Sequence, residues 1–337
     1  MKERRINVKK VNWGILSTAS IGKKQLIPAI ERSINAEAAA IASRGDKAKQ
    51  AAAELGINKA YTSYEQLLED PEIDAVYIPL PNSLHKHWVI EAAKHGKHVL
   101  CEKPAALNET ELQEMLAACN EHDVKFMEAF MYQFHPLHEK VRDLIRQGEI
   151  GEISLIRASF SFLLQNDPQN IRLNKELGGG SIYDVGCYCL HSIREILQEE
   201  PIQVYAHAKQ HSAKVDTTVA GTLSFASGVE AVFDCSFEQL PVNSYEVVGS
   251  TGKIEVENAY RPDKNPGGAG LLRITNSDGE SVEMRIEGDQ YKLQVEHFSE
   301  AVLEDKPLLY TEEKMLNNIR TIDACYKSIV TGEAVRL

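Results

Sequence analysis

From Val11 to Phe130 short apolar runs alternate with helical patterns, and no other feature limits the possible folds of this chain so strongly. Each run must be followed by a helix that crosses back over a sheet, which is the rhythm of parallel βαβ units. The strands expected are Val11–Leu16, Glu37–Ala42, Ala75–Pro79, His98–Cys101 and Lys125–Ala129, each apolar enough to be covered on both faces. Glu37–Ala42 is rich in alanine, and local propensity alone favours helix there. The tandem order overrides that preference. Helix boundaries carry their own signals: Ser63 with Gln66 and Asn108 with Glu111 have capping-box spacing, and Gly56 and Gly96 follow helical runs where a left-handed residue is wanted.

After Pro136, which sits where a helix can start, the pattern changes to longer alternating strands. These are Ser154–Leu164, Gln203–Ala208, Val219–Phe225, Val229–Ser236, Tyr245–Val248, Lys253–Glu257 and Leu271–Thr275, with turn residues such as Ser227-Gly228 and Thr251-Gly252 between them. One long helix, roughly Gly180–Leu197, interrupts them, and two more near Gln294–Leu303 and Thr311–Val330 close the chain. The fold class expected is α/β. Residues 1–130 form a Rossmann domain with a parallel sheet, and residues 131–337 an α+β domain whose large, mostly antiparallel sheet has one open face. The last helix is free to pack back on the first domain. An open face is usually covered by a partner, so a homodimer or a dimer of dimers through sheet-to-sheet contact is expected.

Composition excludes several classes of function. With 337 residues, 43% of them hydrophobic, the chain can build two full cores. A net charge of -12 opposes nucleic-acid binding, which needs clustered Lys and Arg. The basic start Met1–Arg5 is followed only by the short apolar run Val11–Leu16, so neither a signal peptide nor a membrane span is expected, and the protein reads as cytoplasmic. Six cysteines lie scattered without a CxxC pair or histidines at zinc spacing, which implies reduced thiols and no metal.

The first strand ends in Ser17-Thr18-Ala19-Ser20-Ile21-Gly22, which has the spacing of GxGxxG but fills only its last glycine. Small residues there still let backbone amides at a helix start approach a pyrophosphate, the anion site that the helix dipole favours. A methyl at Ala19 is the doubtful one, if that position needs positive φ. The second strand runs into Ser43-Arg44-Gly45, where an NAD site normally places a carboxylate for the ribose hydroxyls. Arg44 can pair with a 2′-phosphate and Ser43 can donate to it, so NADP is expected over NAD, with Asp46 left as a residue able to serve NAD.

Farther on stand Tyr77-Ile78-Pro79-Leu80-Pro81-Asn82-Ser83-Leu84-His85 and Gly96-Lys97-His98-Val99-Leu100-Cys101-Glu102-Lys103-Pro104. Together with Trp13-Gly14-Ile15-Leu16, Glu128-Ala129-Phe130-Met131-Tyr132 and Gly178-Gly179-Gly180-Ser181-Ile182-Tyr183-Asp184-Val185-Gly186-Cys187-Tyr188, the chain resembles the glucose–fructose oxidoreductase/inositol dehydrogenase/rhizopine-catabolism (Gfo/Idh/MocA) family from about Val11 to Val330. Within it the look is that of NADP-dependent sugar and dihydrodiol dehydrogenases. The resemblance implies that Glu102 and Lys103 lie by the cofactor with Lys103 near the nicotinamide, and that Leu80, Pro81, Asn82 and His85 line it. Tyr188 would be the proton-transfer group, and Asp184 would help hold a sugar or diol substrate. Independently, Asp184 and Tyr188 are four apart on one expected helix, so their side chains face the same way.

The chemistry gives these residue types a reason. Hydride loss from an alcohol leaves a proton to remove, and free tyrosine, with a pKa of about 10, is a poor base at neutral pH. A cation nearby, such as Lys103, favours tyrosinate, and correct placement of such a group is worth about 10²–10⁴ in rate. Some positions depart from the family pattern. Gln133 stands where an arginine is usual, Tyr188 replaces the histidine of inositol-type members, and Arg172 resembles an arginine that reaches the cofactor although Ile171 replaces the tryptophan before it. Phe162 and Tyr291 match aromatic positions over the substrate, with core packing as the alternative for each. His191 reads as a structural or surface histidine. Two other functions fit the same scaffold: an NAD-dependent glycosidase, and a non-catalytic NADP-binding regulator.

Overall fold

The computed structural model describes residues 9–165, 170–212 and 214–337. The first sheet is built from β1 (Val11–Leu16), β2 (Ala36–Ala42), β3 (Lys59–Tyr61), β4 (Ala75–Ile78), β5 (His98–Cys101) and β6 (Phe126–Glu128). All pairings are parallel and the spatial order is β3-β2-β1-β4-β5-β6. Chain direction across the sheet therefore reverses between β1 and β4, which opens a crevice at their C-terminal ends. The alanine-rich β2 is held as a strand by parallel ladders to β1 and β3 on its two sides, and Ala40, Ile41 and Ala42 are fully buried. Tertiary pairing thus outweighs helix propensity.

Helix boundaries follow the sequence signals closely. Ser63 Oγ accepts from the Gln66 amide at 3.3 Å, while Gln66 Oε1 accepts from the amide of Thr62 rather than that of Ser63. Gly56 and Gly96 end their helices with φ of 68° and 69°.

The second sheet comprises β7 (Ile153–Leu163), β8 (Pro201–Gln210), β9 (Asp216–Phe225), β10 (Glu230–Ser236), β11 (Glu238–Gly249), β12 (Gly252–Glu257), β13 (Gly270–Asn276), β14 (Ser281–Ile286) and β15 (Val335–Arg336). Its order is β14-β13-β12-β11-β7-β10-β9-β8-β15. Every pairing is antiparallel except β7 with β10, which run parallel. The helix Cys187–Leu197 packs on β7 and β10. Val232 of β10 and Tyr205 of β8 are 42% exposed, and Leu240 on β11 is 73% exposed.

The chain forms two compact units that are not contiguous in sequence. The first takes in the chain up to Ala105, then Glu111–Ala129 and Tyr291–Glu312; the second takes Ala106–Thr110, Phe130–Gln290 and Glu313–Leu337. Helix Gln290–Glu304 thus joins the first unit from its second residue on. Its Phe298 packs on Trp13 with ring centroids 5.3 Å apart, and the Trp13 indole donates to Ser299 Oγ at 3.1 Å. All six cysteines are free thiols and buried. Among the described residues no helix is long and apolar enough to cross a membrane.

Candidate active site

The loops that leave β1, β2, β4 and β5 all emerge at the C-terminal edge of the parallel sheet, and they carry most of the residues expected at the cofactor. After Leu16 the backbone turns sharply at Ser17, whose φ is 135°. That value is unusual for a residue with a side chain and costs on the order of 1–3 kcal/mol. Ser17 Oγ stabilises the turn by donating to the Pro79 carbonyl at 3.3 Å and accepting from the Ala19 amide at 3.1 Å. The strain suspected at Ala19 falls on Ser17 instead, because Ser17 occupies the first glycine position of the motif; Ala19 is not among the residues with positive φ. The Lys23 amide reaches the Ala19 carbonyl at 3.1 Å, so the helix begins at Ser20 and runs through a π segment, Gly22–Leu26, into Ile27–Arg32. Its first amides have no partner within the helix. Thr18, Ser20, Ile21 and Gly22 put no bulky polar group in front of them. At Gly22 a Cβ would stand 3.6 Å from Ile15 and 3.7 Å from Pro79, so the helix start packs closely on the strand end.

At the end of β2, Ser43 is buried and its amide donates to the Tyr61 carbonyl at 3.2 Å, while Arg44 is exposed. Asp46 lies three residues from Lys49 and pairs with its ammonium at 3.8 Å. Helix-start amides, a serine and an arginine are the residue types that could hold a pyrophosphate and a 2′-phosphate.

Leu80, Pro81 and Asn82 follow β4 and are half-buried. His85 is fully buried, and its ring nitrogens lie 2.8 Å from the Leu80 carbonyl and 3.0 Å from the Pro104 carbonyl. It ties the loop after β4 to the loop after β5. Burial, reinforced by the Lys103 charge, holds His85 below the usual histidine range, and the carbonyl contacts only partly offset this. The Glu102 carboxylate accepts from the Tyr77 hydroxyl, and the Glu102 amide donates to the Ile78 carbonyl at 3.1 Å. Beyond the cis bond between Lys103 and Pro104, the Ala105 amide donates to Glu128 at 2.8 Å. These contacts fix the backbone on both sides of Lys103, which is half-buried.

In the second unit the helical stretch that carries Asp184 and Tyr188 begins with a π segment, Ile182–Gly186, and continues as Cys187–Leu197. Asp216 of β9 holds its start by accepting from Ser181 Oγ and the Ile182 amide, each at 2.7 Å, and from the Tyr326 hydroxyl at 2.9 Å. Sequence reasoning missed this residue, since nothing local joins positions 181 and 216. The structure brings Arg172 to Asp184, with Nε 2.6 Å from Oδ2, and sets the guanidinium over the Phe162 ring at 5.7 Å. Tyr188 is 6% exposed, and its hydroxyl reaches Met131 Sδ at 3.5 Å. Its ring packs among Phe130, Tyr132, Phe160 and Tyr260. Gln133 is buried. His191 is also buried, stacked on Phe130 at 4.1 Å and joined to the Tyr132 hydroxyl at 2.6 Å, as a structural histidine would be. Tyr291 is 5% exposed and lies on helix Gln290–Glu304.

A six-stranded parallel sheet whose strand order reverses between β1 and β4, followed by a nine-stranded sheet, defines a protein with a Rossmann-type domain. Residues 11–130 match the model of the oxidoreductase family with an NAD-binding Rossmann fold, and residues 138–255 match the Gfo/Idh/MocA C-terminal domain. The chain belongs to the Gfo/Idh/MocA family of oxidoreductases. It is 41% identical over 327 residues to D-xylose 1-dehydrogenase (NADP(+)) 2 of Haloferax volcanii, covering 96% of this chain and 99% of that one. It is 34% identical to trans-1,2-dihydrobenzene-1,2-diol dehydrogenase of Xenopus laevis over 72% of this chain and 74% of that one. Among solved structures, aldose-aldose oxidoreductase of Caulobacter crescentus, complexed with glycerol, superposes with a TM-score of 0.90 at 27% identity, covering 98% of this chain and all of the other. A 3-ketoreductase of Actinomadura kijaniata in complex with NADP and TDP-benzene gives 0.89 at 30% identity, covering 95% of this chain and 98% of the other. That reductase has also been solved with a tyrosine changed to phenylalanine and with a lysine changed to alanine.

Proposed function

We propose that this protein is an NADP-dependent dehydrogenase or reductase that moves a hydride between the cofactor and a CH–OH carbon of a sugar or vicinal diol. The observation that carries the reading is the match along essentially the full length of both chains to an NADP-dependent D-xylose dehydrogenase. An aldose is accordingly the first substrate class to test, and diols the second. Exposed Arg44 with Ser43, where NAD enzymes hold a carboxylate, supports NADP as the preferred cofactor. Residues 1–130 serve the dinucleotide, and residues 131–337 the substrate and a homodimer contact through the second sheet. The protein works in the cytoplasm.

When bound, NADP supplies the carbon that accepts the hydride. The helix start at Ser20–Gly22 would hold its pyrophosphate, and the loop Leu80–Asn82 and the Glu102–Lys103 segment would border the rest of it. Asp184 accepts a substrate hydroxyl. Tyr188 removes the proton of the reacting hydroxyl and returns it in the other direction, while Lys103 supplies positive charge that favours the phenolate. Lys103→Met is expected to abolish turnover while NADP still binds. Near-normal rates of NADPH formation in that variant, measured with a panel of aldoses, polyols and vicinal diols, would remove this mechanism.

A further inference from the structure

We infer that Arg172 is a positioning residue for the substrate, fixing the Asp184 carboxylate, and that Gly178-Gly179-Gly180 is the seat that holds Arg172 in place. The inference rests on the reading that Asp184 binds substrate. It differs from the role at the cofactor that family resemblance implies for Arg172.

The backbone of Arg172 is fixed from both directions. Its amide donates to Asn170 Oδ1 at 3.1 Å, and its carbonyl accepts from the Gly180 amide at 3.0 Å. At Gly179 a Cβ would stand 2.5 Å from the Arg172 carbonyl oxygen and 2.8 Å from the Asn174 oxygen, so no other residue fits without moving that backbone. Gly180 has φ of 130°, and a Cβ there would lie 2.4 Å from Asp216 Oδ1, the group that holds the start of the helix bearing Asp184. One glycine run therefore joins the Arg172 turn to that helix start.

The side chain is placed as tightly. A 2.6 Å contact from Nε to Asp184 Oδ2 engages one carboxylate oxygen, and the Phe162 ring lies at 5.7 Å, itself packed on Phe237 at 5.3 Å. The guanidinium is 38% exposed, and such half-exposed pairs add little to stability. What the seat does achieve is a carboxylate held by one oxygen against a fixed cation, and thus preorganised to accept a hydrogen bond from a hydroxyl. The Asp184 charge and hydrogen bond raise the Arg172 pKa, burial working against them.

The test uses the full-length protein. A two-dimensional spectrum of arginine Nε–H groups, with Arg172 assigned by its loss in Arg172→Lys, should show a protected signal that disappears in Asp184→Asn and in Gly179→Ala. An Arg172 signal exchanging as fast as that of exposed Arg44 overturns the seat, whatever the enzyme acts on. With the best substrate of the panel, Arg172→Lys and Gly179→Ala should each raise KM by about tenfold or more, with kcat changed by less than about threefold and the NADP Kd by less than about twofold. In an Asp184→Asn background the KM effect of Arg172→Lys should shrink to about twofold or less, because the pair acts as a unit. A weakened NADP Kd with unchanged KM assigns Arg172 to the cofactor and overturns the inference, as do additive effects in the double variant. If wild-type protein turns over no aldose, polyol or diol, the proposed function fails, and the arginine spectrum still decides the seat.

Discussion

Acidification should destabilise this protein as pH falls below the usual histidine range, because four histidines are buried: His85 in the first unit, and His135, His138 and His191 in the second. Burial is the largest cause of lowering for all four, and for His138 the neighbouring His135 and Arg142 charges add to it and hold the ring at about 3. An unfolded histidine titrates near 6.5. Between that value and the folded one, the unfolded chain carries a proton that the folded chain refuses. The stability these residues contribute is therefore fully present above about pH 6.5 and is lost as pH falls through the interval. For His138 this costs about 1.4 kcal/mol per pH unit, so the loss approaches about 5 kcal/mol at pH 3. His85, His135 and His191 are lowered in the same direction and add to that loss, and domains commonly have only about 5–15 kcal/mol in hand. Half-buried His98 and His297 in the first unit, also lowered chiefly by burial, steepen the slope. Urea unfolding at half-unit steps from pH 7 to 4.5 checks this. Trp13 and Trp88 fluorescence reports the first unit, and tyrosine signals in near-ultraviolet circular dichroism report mainly the second. The expected result is net proton uptake on unfolding of each unit, so that stability falls with pH below about 6.5 in both. A flat stability profile between pH 6.5 and 5 would show that these rings are hydrated or already charged, and would refute the reasoning.

Two further expectations concern binding surfaces. Arg44→Asp should weaken NADP binding by about 10–100-fold, the worth of a charge-assisted contact, while leaving NAD within a few-fold; tighter NAD than NADP binding by the unaltered protein would contradict the cofactor assignment. Val232→Arg, which places a charge on the open face of the second sheet, should shift a dimer toward monomer in sedimentation velocity, and an unaltered protein that is monomeric across micromolar dilution would rule the dimer out.

Much of the fold was legible because periodicity and order both survive in the chain. The strands expected over Val11–Leu16 and His98–Cys101 match β1 and β5 in both bounds, and the others of the first sheet fall within a residue or so at each end. β3 escaped because Lys59-Ala60-Tyr61 is too short to show alternation. β14 does alternate, but on an edge where its side chains are mostly exposed, so no buried face marks it. The early half of β11, Glu238–Val242, contains Pro241 and reads as a loop; it pairs with β7 only across an irregularity in register. At the site, spacing placed Asp184 and Tyr188 on one helix but could not announce its π segment, which leaves no compositional mark. The Arg172–Asp184 pair was equally silent, since its partners are joined by loop geometry rather than by helical or strand period.

The return of Tyr291–Glu312 to the first unit also has a consequence for how the protein is made. Trp13 is fully buried, and Phe298 and Ser299 supply part of its cover. A ribosome that has released only the opening third of the chain has therefore made a nucleotide fold with its largest core side chain still wet. That half is finished only after nearly all of the other half has been synthesised, so a fragment cut at residue 130 carries the whole parallel sheet and an incomplete core.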